Sequence, residues 1–396
     1  MHLFEGAIMN HNASMALRVL LAAGVAVAVG AVPASAPDKA ASTPATAAGS
    51  RATGEWKLPP KIRLDPPRFR VTADQQYAIY AAEDVPAARQ RPDEQAEPTI
   101  TYWALARGDG PPRRIIDLLA EEARKNGFEV RLVEPAPSGS AVLVMGRLAG
   151  RGSAAYVLEL GGGKSRRVGD QPGAVAVWAG DQVALAEADK KQVRPLNIVA
   201  PFTGTSNRLT ARGMVLAASA DASTLVILGD AADVNREVSP EDFAASSATD
   251  KPEAATRQAN VRLVSVSADG KVLRDLAGKQ ELGQPPVLSP GGKYVAFSVQ
   301  PAAAGEERSV RVLATTGDRQ RTIKEFALVL AVTDKGETVT FGVGDTSDGT
   351  AVKLWDAQGG SRTIVTAAQC AAVAGDRVFY VTPGNSPIIK SAPIRP

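Results

Sequence analysis

A short unit, a polar turn running into an apolar strand, recurs seven times along this chain, and this recurrence constrains the fold more than any other feature. The instances begin at Thr72, Ser138, Ala179, Ser219, Ser289, Thr333 and Ala374. Four of the intervals between starts are 41, 40, 44 and 41 residues long. A period of about 40–45 residues is the length of a blade of four short antiparallel strands. The two wide intervals, 66 and 70 residues, each contain an insertion. The pattern predicts an all-β chain: a single β-propeller of seven four-stranded blades, with six or eight as the alternatives, and one short helical insertion.

The unit around Ser289 shows the whole blade. Pro286–Ser289 reads as the inner strand, Tyr294–Val299 as the second, Ser309–Leu313 as the third and Gln320–Ile323 as the outer one. Apolar residues crowd the inner strands and thin out toward the outer strand, as a sheet packed on neighbours and wet at its rim requires. The next unit repeats the scheme with Leu328–Ala331, Thr338–Phe341, Val352–Trp355 and Thr363–Val365. Insertions are expected near 84–98, which is Pro- and charge-rich, and 230–260, which is Ala-, Ser- and Glu-rich. A third, near 113–127, carries a helical stripe of Ile115, Ile116, Leu119 and Ala123, with Gly127 as its stop. The last unit runs out of chain, so a strand near Lys61–Leu64 is expected to complete it and remove the open edges.

The amino-terminal part has a different logic. Arg18 precedes a 14-residue apolar run, Val19–Val32, and the small-residue end Pro33-Ala34-Ser35-Ala36. This is the layout of a secretory signal peptide, and the run is short of the roughly 20 apolar residues that a membrane span needs. The expected division is therefore a signal peptide over 1–36, cleaved after Ala34 or Ala36, a flexible Ala/Thr/Pro-rich leader over 37–60, and the propeller over 61–396. Either Met1 or Met15 could start the chain. Cys370 is the one cysteine in the sequence, so no internal disulfide can form, and a buried apolar role is expected for it.

At Leu288–Phe297, reading Leu-Ser-Pro-Gly-Gly-Lys-Tyr-Val-Ala-Phe, the sequence resembles the TolB-like propeller repeat, and Leu354-Trp355-Asp356 is similar to the end of a WD40 repeat. The resemblance spans roughly Val71 to Pro396 and is close only in the unit from Pro285. It departs at Gly291, where the TolB-type repeat usually carries Asp. It implies a propeller in a cell-envelope or extracellular setting, and not the specific role of TolB.

Several chemistries are missing. The two histidines are His2 and His11, both ahead of the apolar run, so a cleaved chain has none. Ser-His-Asp and Cys-His nucleophile systems are then excluded, with most zinc and copper sites. The stretch Gly163-Lys164-Ser165 lacks the upstream glycine of a phosphate loop, since Leu158 stands there, and Gly161–Lys164 reads as a hairpin turn. Neither Gly342-Val-Gly344 nor Asp345–Gly349 has the spacing of a dinucleotide or EF-hand loop. Trp103 and Trp355 are expected in the core rather than as ligand platforms. A formal charge of +3 does not call for nucleic acid or a membrane surface. No catalytic, cofactor-binding or metal-ligating residue is assigned. The expected function is an exported, monomeric, non-enzymatic binding scaffold for a protein or cell-envelope ligand, with no membrane insertion after signal cleavage. The alternative is a carboxylate-only propeller enzyme acting on carbohydrate or lactone.

Overall fold

A computed structural model describes residues 56–59, 64–84, 99–108, 110–149, 152–168, 175–186, 195–230, 261–278, 282–299, 308–343, 349–384 and 387–395. Its strands form seven four-stranded antiparallel sheets. Blade 1 runs Arg70–Val71, Tyr77–Asp84, Thr99–Ala106, Arg113–Arg114, and blade 2 runs Glu129–Pro135, Ala141–Leu148, Gly152–Glu159, Ser165–Val168. Blade 3 is Val175–Ala179, Gln182–Ala186, Pro195–Val199 and Ser206–Arg212. Blade 4 is Met214–Ala218, Thr224–Asp230, Val261–Ser267 and Val272–Gly278. Blade 5 is Val287–Leu288, Tyr294–Val299, Ser309–Ala314 and Gln320–Ile323. Blade 6 is Ala327–Val332, Thr338–Gly342, Thr350–Trp355 and Ser361–Ala368. All seven expected turns join the first strand of a blade to its second.

Blade 7 closes the ring. Cys370–Ala374, Arg377–Val381 and Ile388–Pro393 come from the end of the chain, and the fourth strand is Trp56–Lys57. Trp56 pairs with Ile389 and Lys57 with Ile388. The expectation of closure by Lys61–Leu64 is thus corrected: the closing strand lies five residues earlier, and Leu64 instead makes a single bridge to Ala82 of blade 1. Trp56 explains the choice. Its indole is 2 % exposed and meets Phe379 edge-on, with ring centroids 5.6 Å apart, so the closing position offers burial that only the aromatic residue can use. Residues 61–63 lie outside the described residues, as do the expected signal peptide over 1–36 and all of the expected leader before Trp56.

The core is divided among the seven interfaces between adjacent blades. Along the second strand of blade 1, Ala78, Tyr80 and Ala82 pack toward blade 7, while Ile79 and Ala81 pack toward blade 2. Side chains alternate sides along a strand, so a sheet buried on both faces needs unbroken apolar runs rather than alternation. Thr224–Asp230 of blade 4, TLVILGD, is buried at every position. Each remaining interface has its own cluster, and the set returns to blade 1 without a gap.

The helical insertion is present but broken. Helix α1 spans Ile115–Leu118 and helix α2 spans Glu121–Lys125, preceded by Arg113–Arg114 as the outer strand of blade 1. At Ala120 the backbone turns extended (ψ 148°), and its N–H donates to Ser165 Oγ of blade 2 at 2.6 Å. That bond divides the expected single helix. The stripe still does its work: Ile115, Leu118, Leu119 and Ala123 are buried in the core between blades 1 and 2, with Ile116 partly exposed beside them. No helix of the described residues is long and apolar enough to cross a membrane.

Candidate functional site: the axial wall, the two faces and the rim

The first strands of successive blades lie beside one another and so line the ring's axis. In blades 3 to 7 these strands read VAVWA, MVLAA, VL, ALVLAV and CAAVA, without one ionisable group apart from the thiol of Cys370. Charge enters the wall only through Arg70, Glu129, Arg131 and Glu134 of blades 1 and 2. The Arg70 guanidinium donates to both carboxylate oxygens of Glu134, at 3.1 and 3.0 Å, and through Nη1 to the carbonyls of Pro67 and Phe69. Burial disfavours the Arg70 charge, but the facing Glu134 more than compensates, so its pKa rises. Glu129 holds Arg131 at 2.7 Å. Beside this sector Asp65 bonds Arg68 at 2.8 Å, and burial raises the Asp65 carboxyl against the opposing pull of that arginine. Both wall glutamates therefore face arginines, a structural arrangement rather than a pair of free carboxylates.

One face of the ring is made by the turns between first and second strands, and these turns brace each other. A Ser or Thr hydroxyl accepts the N–H that ends the turn, as Thr72 does from Tyr77, Ser219 from Thr224 and Ser289 from Tyr294. In two turns that hydroxyl donates a hydrogen bond to an Asp two residues on: Thr72 to Asp74 and Ser219 to Asp221. Asp221 also accepts the Ser223 N–H, and these bonds hold its carboxyl down at about 2. Neighbouring turns then connect. Asp74 N–H donates to Gly139 O, Ser138 to Asp181, and Ala220 N–H to Pro290 O. Like blade 2, whose turn reads Ser138-Gly139-Ser140, blade 5 lacks Asp in its turn. There the Gly291 N–H donates to both oxygens of Asp334, at 3.0 and 3.1 Å, from the turn of blade 6. A Cβ on Gly291 would stand 2.6 Å from Asp334 Oδ2, which is why the pattern departs at this residue.

The opposite face receives the connections between second and third strands and those between blades. Asp84 pairs with Thr99 and Asp230 with Val261, so the expected insertions 84–98 and 230–260 both leave from this face. Residues 85–98 and 231–260 themselves lie outside the described residues, as do Gly344 and Asp345–Asp348. Helices α1 and α2 also stand between blades here. The Gly161–Lys164 stretch is the expected hairpin turn, with Gly163 N–H bonded to Glu159 O. Trp103 and Trp355 are half-buried against the cores, and the Trp355 indole donates to Thr340 Oγ1 at 3.0 Å. Cys370 is buried, and burial pushes its thiol far up.

A repeated clasp runs around the outside. In four blades an outer-strand arginine donates to backbone carbonyls of the next blade: Arg166 to Phe202 O, Arg274 to Ala314 O and Arg319 O, Arg321 to Asp356 O and Gly336 O, and Arg362 to Ile394 O. Between blades 3 and 4 Thr210 plays the part, donating to Asp269 O. At the closure the polarity inverts: Arg107 of blade 1 lies over the Trp56 ring, 5.1 Å from its centroid. The sequence reading did not find these clasps. Their signal was an arginine near the start of the outer strand in blades 2, 4, 5 and 6.

No protein-family model matches the chain, and no curated protein does either. Among solved structures it is similar to an uncharacterized protein from Listeria monocytogenes, at 8 % identity over 83 % of this chain and 92 % of that one, TM-score 0.47. It is also similar to TolB from Acinetobacter baumannii, at 12 % identity over 81 % of this chain and 64 % of that one, TM-score 0.43. The β-propeller domain of the Trilobed protease from Pyrococcus furiosus is 11 % identical, over 84 % of this chain and 95 % of that domain, TM-score 0.48. Such likenesses concern the fold alone. On its own strand pairing the chain is a seven-bladed β-propeller.

Proposed function

We propose that this propeller is an exported binding scaffold, monomeric and non-catalytic, that engages a protein or cell-envelope ligand. The observation that carries the reading is the axial wall. Catalysis by carboxylates needs two of them free and convergent, one with a raised pKa. Here both wall glutamates face arginines, and the rest of the wall is apolar apart from the thiol of Cys370. Among the described residues no group of three or more His, Cys, Asp or Glu side chains converges. Beyond His11 the chain has no imidazole to serve as a base. Export rests on the Arg18, Val19–Val32 and Ala34/Ala36 pattern.

Two measurements test this. The full-length chain is expressed in a bacterium, and the mass of the extracytoplasmic product is determined; cleavage after Ala34 or Ala36 is expected, and an intact chain in the cytosol would overturn export. The purified protein is then offered chromogenic glycosides and lactones. No turnover is expected. Turnover abolished by Glu129→Gln or Glu134→Gln would replace the scaffold with the carboxylate-only enzyme.

A further inference from the structure

Charge on this ring is sorted by radius. The inner turns of the braced face carry six acids, Asp74, Asp181, Asp221, Asp334, Glu337 and Asp376, against two bases, Lys293 and Lys335. The seven outer strands carry the opposite sign. Beside the clasping arginines of blades 2, 4, 5 and 6 stand Lys57, Arg113, Arg114, Arg167, Arg208 and Arg212, and Asp275 is the one acid on these strands. Arg262 of the neighbouring strand holds Asp275 at 2.6 Å, so it does not offset the rest.

A bland explanation exists: charged residues on edge strands prevent sheets from pairing between molecules. That function is served by either sign. With 45 Lys and Arg against 42 Asp and Glu in the whole chain, it would leave a mixed rim. The outer strands are not mixed: Asp275 is their one acid. Nor do the clasps discharge it, because a carbonyl oxygen fixes a guanidinium without neutralising it. Asp269, Asp318 and Asp356, on turns that enter outer strands, and Asp117, 3.9 Å from Arg114, remain charged and lessen the basic excess without reversing it.

We infer that the outer rim is a polyanion-binding belt, and that its ligand is a flexible anionic polysaccharide. The belt's placement selects this occupant. Cations spread around every side of a ring meet a flat membrane only a few at a time, whereas a flexible polymer can follow them. Duplex DNA, with a persistence length of about 50 nm, resists such a path. Single-stranded nucleic acid relies on exposed aromatic platforms, and the outer strands carry one aromatic, Trp56, which is buried. The inference names a ligand class for the proposed scaffold and rests on that reading for the choice of a polysaccharide.

The test uses the full chain with dextran sulfate and polygalacturonate as probes, neutral dextran as control, and duplex DNA, single-stranded DNA and anionic vesicles as competing classes. Binding to both anionic glycans, absent with neutral dextran and weakening as salt rises, is expected. The triple variant Arg113→Glu/Arg114→Glu/Arg208→Glu spares the clasps and should weaken binding by more than about tenfold, with the log–log salt slope shallower by roughly 2. If its circular dichroism shows misfolding, the neutral Gln triple variant is read instead. Failure of the wild-type chain to bind either glycan at low salt, unchanged binding by the folded variant, or tighter binding to nucleic acid or vesicles would overturn the belt. Turnover of a glycoside or lactone bears on the scaffold reading alone, so the two failures are distinguishable.

Discussion

Gly291 shows how one residue can depart from a repeat for a tertiary reason. Its N–H donates to the Asp334 carboxylate, and the missing Cβ makes room for that group. Restoring the usual residue with Gly291→Asp should therefore destabilise the fold by about 1–3 kcal/mol, through overpacking and like charge, as read by urea denaturation. Asp221 supplies a pH signature. Its folded pKa, about 2, lies below the ordinary value of 3.8, so the stability it adds is present above pH 3.8 and is lost as pH falls toward 2. The stability gap between wild type and Asp221→Ala should accordingly narrow across that window in acid titrations of thermal unfolding. Cys370 was legible as a buried residue because one thiol in an apolar run has no partner to seek. It should resist a thiol-reactive chromophore in the native state and react once guanidinium unfolds the chain. The charged sector around Arg70 and Glu134 was not legible. The two residues are 64 positions apart, and only the ring sets their strands side by side.

At the scale of elements, the strands of blades 5 and 6 could be read nearly to their ends, since a sheet buried on both faces writes itself as apolar runs punctuated by turns. Gln320–Ile323 was found because its neighbours in sequence form the preceding turn. The single helix expected over 113–127 was not found whole: its stripe described burial correctly, but the break at Ala120 depends on Ser165, a residue 45 positions away. The clasps are invisible for the same reason. Arg321→Ala should destabilise by about 1–3 kcal/mol, because charged hydrogen bonds to two carbonyls and Thr338 Oγ1 are lost. Arg321→Lys should recover little, since an ammonium cannot span the same fork. Chemical denaturation of both variants decides this.

For the whole molecule, closure is the decisive feature. Seven inter-blade cores form a ring only if the first strand of the described residues meets the last blade, and Trp56 makes that contact. Trp56→Ala should lower stability by about 3–5 kcal/mol, the usual effect of emptying an aromatic site in a core. A single unfolding transition in the wild type should split or broaden in the variant, because blade 7 loses its outer strand; calorimetry reads both effects.

Period, turn chemistry and apolar runs, all local properties, determined by themselves that this chain is a ring of repeated four-stranded blades, and its sequence places both histidines ahead of the apolar run. The tertiary structure alone decided which strand closes the ring, which arginines clasp which carbonyls, and that acids collect at the inner turns while bases collect at the rim. Those outcomes depend on residues brought together across tens to hundreds of positions, where a linear pattern carries no signal and only the closed geometry selects the partner.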